Sequence, residues 1–492
     1  MKYKLICGIS CLVILLSSVF IPQIFKQEGN NRYHQHLNAA KKEACSHDAE
    51  IFCCHLPIVL INTEGKDIPG KAILNENGLV TGYTKAEDGA DEIAANIYII
   101  DNETQNNHLD SEASIVSKMR IHIRGNSSRT FDKSSYAVRL ITEEGENNPQ
   151  PIMGMAAHHE WALHGPQLDK TLIRNYMWYN IAGEIMDYAP NVRFCEVFLN
   201  GEYNGVYVMT EIITAGEEGA RLNMSVDKKN HTFSGYLIRL DRGATAEIKN
   251  IETFSSYSYR SKQLLNIEYP GTKNLTPQIA EKIRQDFSAF EKSLYSFDFD
   301  SEEYGYRKYC DVDSFVDYFL INELTLNYDA GWLSTYIYKD IDKKYKMCIW
   351  DFNSACNNYQ QSYIDPQGFD LHLSVWYRMI MKDSYFTDRL IERYYDLRKN
   401  YFSDEYLTNY IDDCVKYLGP AIDRNYEKWG YTFASGFDML IPSERNPRSY
   451  SEAIEDMKNN IVVRTRWLDD NIETLKQYSK NSKIKKFDED AN

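Results

Sequence analysis

The sequence predicts an α+β fold, and three observations predict it. Short runs rich in β-branched and aromatic residues, among them 94–100, 117–123 and 135–141, are set off by Gly, Asn and Ser turns and read as strands. Apolar residues Val312, Phe315, Val316, Phe319, Leu320 and Leu324 return at three- and four-residue steps, the stripe of an amphipathic helix. Toward the C-terminus, 385–401, 405–418 and 450–478 repeat that helical pattern with charged residues on the remaining face.

The N-terminus comes first in the chain. Lys2 and Lys4 precede an uncharged run over 5–25, which predicts export, as a cleaved signal peptide or as one transmembrane anchor within residues 1–26. Residues 27–54 are polar and read as a linker. A small β-rich lead-in follows over 55–115, then the main domain over 116–480 and a polar tail over 481–492. The chain is long enough for two or three packed units.

The main domain opens on a strand at 119–123, a polar turn at Arg124-Gly125-Asn126-Ser127-Ser128, and a second strand at 135–141. Small side chains and free backbone N–H groups in such a turn suit an anion, and a cation on the following strand would neutralise it. A helix is predicted over 169–186 with Asp169 as its cap. A hairpin is predicted from 194–199 and 206–210 around a turn at 200–205, and a further strand over 235–240. His158, His159 and His164 miss the H-E-x-x-H spacing by one residue, so hydrogen-bonded or exposed histidines are the better reading than a metal site.

The stretch 311–353 carries the chemistry. Asp311 caps the amphipathic helix and Asp313 favours its first turn. The stripe stops at a loop over 327–331. Strands follow at 333–338 and 345–350, with a turn between them at 340–344, a hairpin pattern. Asp329 enters the hairpin and Asp351 leaves it, so adjacent strands bring both carboxylates to one end of a sheet. Such a pair suits holding a cation and accepting a proton.

Composition narrows the function. A net charge of -16 is wrong for a sequence-independent nucleic-acid binder, which needs basic surface, so no nucleic-acid partner is expected. The ten cysteines contain no C-x-x-C pair, against a zinc ribbon; export would allow disulfides, and buried free thiols fit their scatter equally.

Five stretches in order resemble the spore-coat CotH family of atypical secreted protein kinases. They are IHIRGNSSRTFDKSSYAVRL (121–140), EWALHGPQLDKTLIRNYMWYNIAGEI (160–185), RFCEVFLNGEYNGVYVMTE (193–211), GYLIRLDR (235–242) and 311–353. The resemblance implies a divergent two-lobed kinase-like core with a helical C-terminal region. It implies ATP with Mg²⁺ or Mn²⁺, and transfer to serine or threonine hydroxyls of exported proteins. It places Asp329 as the catalytic-loop aspartate and Asp351, in Trp350-Asp351-Phe352, as the metal aspartate. Ser334 stands where kinases carry a second metal ligand, and Asn353 replaces the second aspartate of the family's W-D-F-D. Ala137-Val138-Arg139 resembles the end of the V-A-I-K strand, with arginine for lysine. Lys133 is a second candidate cation, Glu184 and Glu211 both qualify as the acidic partner of the phosphate-binding cation, and Arg124, Asn126 and Ser127 line the phosphate turn. Two rivals are a catalytically silent structural or adhesive protein on the same fold, and a carbohydrate-active enzyme using the two aspartates as acid and base.

Overall fold

Seven strands close into a barrel in a computed structural model that describes residues 32–42, 52–216, 221–242, 246–252, 254, 264–339 and 344–479. They are β1 (Ile58–Asn62), β2 (Ile93–Ile100), β3 (Ile115–Ile123), β4 (Tyr136–Ile141), β5 (Glu160–His164), β6 (Val192–Leu199) and β7 (Glu202–Glu211). The order around the wall is β6-β7-β5-β4-β3-β2-β1. Neighbours are antiparallel, except that β1 closes onto β6 in parallel. Alternation sets the faces: along β3, Ser117, Met119, Ile121 and Ile123 are buried while Lys118, Arg120 and His122 are partly exposed.

The barrel joins what the sequence separates. β1 and β2, from the stretch read as a lead-in, are wall strands, and the 115/116 boundary falls at the start of β3. A pair of strands has no partner face of its own, and closure supplies one. The turn between β6 and β7 is only Asn200-Gly201, both left-handed at φ 51° and 84°, the geometry that Asn-Gly favours in a two-residue hairpin.

A second, antiparallel sheet has the order β9-β10-β8-β11-β12. Its strands are β8 (Tyr236–Asp241), β9 (Asn250–Ile251), β10 (Leu264–Tyr269), β11 (Thr335–Lys339) and β12 (Tyr345–Cys348). The predicted hairpin is β11–β12, shorter at both outer ends, and its turn at 340–343 lies outside the described residues.

The main helices are α1 (Arg174–Ile185), α2 (Pro277–Ser293), α3 (Val312–Thr325), α4 (Ser384–Arg398), α5 (Asp404–Leu418), α6 (Pro420–Trp429) and α7 (Tyr450–Asn471). α3 starts on the predicted cap, with the Asp311 carboxylate accepting the Ser314 N–H at 3.2 Å. α1 starts five residues later than predicted, because Leu172 is left-handed at φ 66°. Asp169 organises the turn before it instead, accepting the Thr171 N–H at 3.0 Å and the Arg174 N–H at 2.8 Å. α7 ends at Asn471 and tightens into a 3₁₀ segment, Ile472–Tyr478.

α2 and α6 have no counterpart in the sequence reading. α2 nevertheless carries a Thr276 cap, Pro277 in its first turn and buried Ile279, Ile283, Phe287 and Phe290. One core joins α1, the second sheet and the C-terminal helices, separate from the barrel interior. Across it Arg464 of α7 meets Glu323 of α3 at 2.7 Å, both fully buried.

Cys54, Cys195, Cys310, Cys348, Cys356 and Cys414 are buried free thiols. The apolar run at 5–25 and the tail over 481–492 lie outside the described residues, among which no helix is long and apolar enough to cross a membrane. Residues 32–42, within the stretch that composition marks as a linker, pack on the core through Arg32, His34 and Gln35.

Candidate active site

α3 ends with Leu326 in a left-handed conformation, φ 46°, which turns the chain into the loop that holds Asp329. Gly331 in that loop has φ 78°, and a Cβ there would lie 2.5 Å from Leu371 Cδ1 and 2.7 Å from Ser374, so only glycine fits. On the other side, β12 ends at Cys348 and Asp351 follows with φ 61°. Asn327 ties the loops together. Its Nδ2 donates to Asn322 Oδ1 at 3.1 Å and to the Asp351 carbonyl at 3.1 Å.

α1 holds the Asp351 loop from a second direction. The Asp351 N–H donates to the Tyr179 hydroxyl at 3.0 Å, and the Phe352 N–H to Asn175 Oδ1 at 2.8 Å. The two helix residues are one turn apart, so they face the loop together.

The electrostatics join the two aspartates. Burial lifts the Asp329 carboxyl to about 6; the Asp351 charge adds to the rise, Arg242 opposes it and Asp241 adds to it. Burial also raises Asp351, with Arg124 opposing and Asp241 adding. A desolvated carboxylate that disfavours the ionisation of its neighbour is a place where a hard cation would be stabilised.

Two adjoining cavities lie on the Asp351 side, and Asp329 lines neither. The smaller, about 50 Å³, is polar and is lined by Arg124, Gly125, Ser128, His164, Asp351 and Asn353 among others. The larger, about 320 Å³, has Trp161, Tyr336, Val138 and Ile213 on its walls, with Arg120, Arg139, Glu92 and Glu268 between them. Arg124 and Trp350 line both. A chamber with aromatic, aliphatic and charged walls that shares Arg124 and Trp350 with a small polar one suits a heterocycle with an anionic tail.

The residues singled out from sequence fall in different places. Asp351, Asn353 and Arg124 meet in the polar cavity, and Arg139 lines the larger one, held by Glu92 Oε1 at 2.6 Å. Asn126 sits beside Arg242, and with its carbonyl turned toward that side chain it accepts from Nη1 at 2.7 Å. Ser127 opens an exposed 3₁₀ turn. Ser334 is left-handed at φ 47° just before β11 and lines neither cavity. Lys133 is fully buried elsewhere, with Nζ on Asn425 Oδ1 at 2.6 Å and over the Tyr207 ring. Glu184 meets His34 at 2.7 Å and Glu211 meets Arg221 at 3.0 Å, so the acidic partner of Arg139 is Glu92 instead.

A family model described as CotH kinase protein matches residues 121–468, from within β3 almost to the end of α7. The chain belongs to the CotH kinase protein family. No curated protein matches it. The CotH match omits β1 and β2, although both close the same barrel.

The donor set of this CotH chain fits a magnesium nucleotide. Magnesium is usually held by one or two carboxylates plus substrate phosphates, and here the Asp351 carboxylate and the Asn353 amide line one polar cavity with Arg124, while Asp329 stands within electrostatic reach of Asp351. Among the described residues, the three donor groups lying within 4.8 Å of one another are His158, His159 and Glu160. Their geometry is hydrogen-bonded rather than open: His158 Nδ1 accepts the Glu160 N–H at 3.0 Å, and the two imidazoles stack at 4.5 Å.

Sequence reasoning missed Glu92, His164, Tyr179, Asp241, Arg242 and Trp350. Asp241-Arg242 ends the quoted block 235–242, and Trp350 precedes Asp351, so both carried a signal. Glu92, just before β2, carried none.

Proposed function

We propose that the chain is an exported ATP-dependent protein kinase that phosphorylates serine or threonine hydroxyls of surface or coat proteins, on a divergent two-lobed kinase-like fold. The single observation that carries the reading is that the Asp351 charge acts on the desolvated Asp329 carboxyl while Asp351 itself shares the polar cavity with Arg124. Family membership supports the kinase class.

In this reading the adenine lies in the larger cavity against Trp350 and Val138, and the phosphates pass Arg124 toward the Gly125 turn. Gly125 has φ 110°, and a Cβ there would be 2.0 Å from Ser128 Oγ, so the turn stays bare on the side where phosphates would approach. Asp351 and Asn353 would hold the metal. When bound, Mg²⁺ neutralises charge on the phosphate oxygens. Asp329 orients the acceptor hydroxyl and takes its proton as the hydroxyl oxygen bonds to the γ-phosphorus and the bond to the bridging oxygen of ADP breaks. A carboxyl near 6 is well placed for that proton near neutral pH.

A catalytically silent member of the fold is the second reading. It is favoured by Asn353, a neutral amide among the metal-side residues. Incubation with labelled ATP and Mg²⁺ or Mn²⁺, followed by phosphosite mapping, separates the two. Incorporated label on serine or threonine supports the kinase. No transfer supports the silent member, and absence of metal-dependent ATP binding rejects the kinase outright.

A further inference from the structure

Residues 32–38 lie across three elements of the core. Arg32 Nε donates to Asn180 Oδ1 on α1 at 2.9 Å, Nη1 donates to the Ala189 carbonyl at 2.9 Å, and Nη2 reaches the Pro190 carbonyl. One His34 ring nitrogen meets Glu184 on α1 at 2.7 Å and the other the Tyr410 hydroxyl on α5 at 2.9 Å. The Gln35 side chain pairs with the β6 backbone, accepting the Phe194 N–H at 2.7 Å and donating to its carbonyl at 3.1 Å. His36 Nδ1 meets the Tyr176 hydroxyl at 2.9 Å.

α1 therefore carries two jobs on neighbouring stripes. Tyr176, Asn180 and Glu184 recur every four residues and meet residues 32–36. Asn175 and Tyr179, each one position earlier, hold the backbone of Phe352 and Asp351. Every residue of α1 except Glu184 is buried, so this helix has no solvent-facing side that could absorb a shift freely. Gly183 shows how closely the segment is fitted. A Cβ on it would be 2.0 Å from Arg32 Nη1 and 2.5 Å from Cζ. A glycine inside a helix disfavours it relative to alanine, and here the passage of the arginine accounts for it.

We propose that Arg32–Asn38 is a positioning strap for the metal-side loop: it holds α1 in place, and α1 holds the backbone of Asp351. The proposal rests on the reading of Asp351 as the metal carboxylate only for its functional consequence. The mechanical part, strap to helix to loop, stands on the hydrogen bonds alone. Arg32 and Gln35 are positioning residues; neither lines the cavities described beside Asp351.

Gly183→Ala is the sharpest probe, because alanine favours the helix while its methyl group displaces the Arg32 side chain. In the full chain, Gly183→Ala, Arg32→Ala and the double variant are compared by melting, by hydrogen exchange of peptides covering 349–354, and by Mg²⁺-dependent ATP affinity. Each single variant should speed exchange of the Asp351–Phe352 amides by about tenfold and weaken metal-dependent ATP binding by about fivefold or more. The double variant should be no worse than either single one, since both remove the same contact. A lowered melting temperature with exchange and affinity within about twofold of the parent would reduce the strap to a structural brace and overturn the proposal. If the parent binds no MgATP, the kinase reading falls, and exchange at 349–354 still decides the strap. Should Arg32→Ala fail to fold, Gly183→Ala and Arg32→Lys give the same comparison.

Discussion

The Arg124 guanidinium carbon lies 5.3 Å from the centre of the Trp350 ring, so the cation at the end of β3 is seated on the residue next to Asp351. That contact makes Arg124 the charge shared by both cavities. Arg139, further along the barrel wall, is already paired with Glu92. Arg124→Ala should therefore weaken ATP binding by about tenfold or more, the scale of a lost charge-assisted hydrogen bond. Arg139→Ala should cost less, and Arg139→Lys should retain most of the affinity. Calorimetric titration with ATP ranks the three, and a larger loss for Arg139→Ala would move the phosphates toward β4.

Asp329 predicts a pH dependence with a definite sign. Its folded-state value of about 6 exceeds the ordinary aspartate value near 4. Below about pH 4 it is protonated in both states and costs nothing. As the pH rises through 6 the folded protein must carry the unfavourable charge, so stability is lost over that window and stays lost above it. Asp329→Asn should thus raise the stability of the nucleotide-free protein at pH 8 by on the order of 2 kcal/mol and leave it unchanged at pH 4. Urea denaturation at the two pH values checks this. In the parent, kcat/KM for phosphotransfer should climb through about pH 6.

Glu323 and Arg464 make a structural prediction. Glu323 accepts the Asp370 and Leu371 N–H groups, each at 2.9 Å, and Arg464 also donates to the carbonyls of Pro366 and Gly368 at 2.6 Å. This satisfies most of the hydrogen-bonding capacity of a buried ion pair, the condition under which one is tolerated. Arg464→Ala leaves a buried carboxylate unpaired and should destabilise the fold by about 3–5 kcal/mol in denaturant titration. A loss below about 1 kcal/mol would mean that water reaches the pair.

How far the sequence reveals this protein depends on distance along the chain. α3, its Asp311 cap, the β11–β12 hairpin and the placing of Asp329 and Asp351 at one end of it are local, and period and turn residues carry them. Barrel closure is not local: β1 pairs with β6 through Ile58↔Glu196 and Ile61↔Leu199, more than a hundred residues apart. No short window contains that register. The start of α1 eludes periodicity because a single left-handed residue, Leu172, interrupts the run that begins at the polar Asp169-Lys170-Thr171. Lys133 qualifies as a phosphate cation by residue type and by its place before β4, yet it is enclosed by Asn425 and Tyr207. Glu92 and Arg242 reach their partners only through tertiary packing.

The most direct measurement takes Asp351→Asn and Asp329→Asn side by side, reading Mg²⁺-dependent ATP affinity and label transfer on folded protein. Asp351→Asn should lose metal-dependent ATP binding and transfer together. Asp329→Asn should keep nucleotide and metal affinity nearly intact while transfer falls by about 10²-fold or more, the scale of a lost acid–base group. Full phosphotransfer by both variants, with melting unchanged, would contradict the assignment of this site.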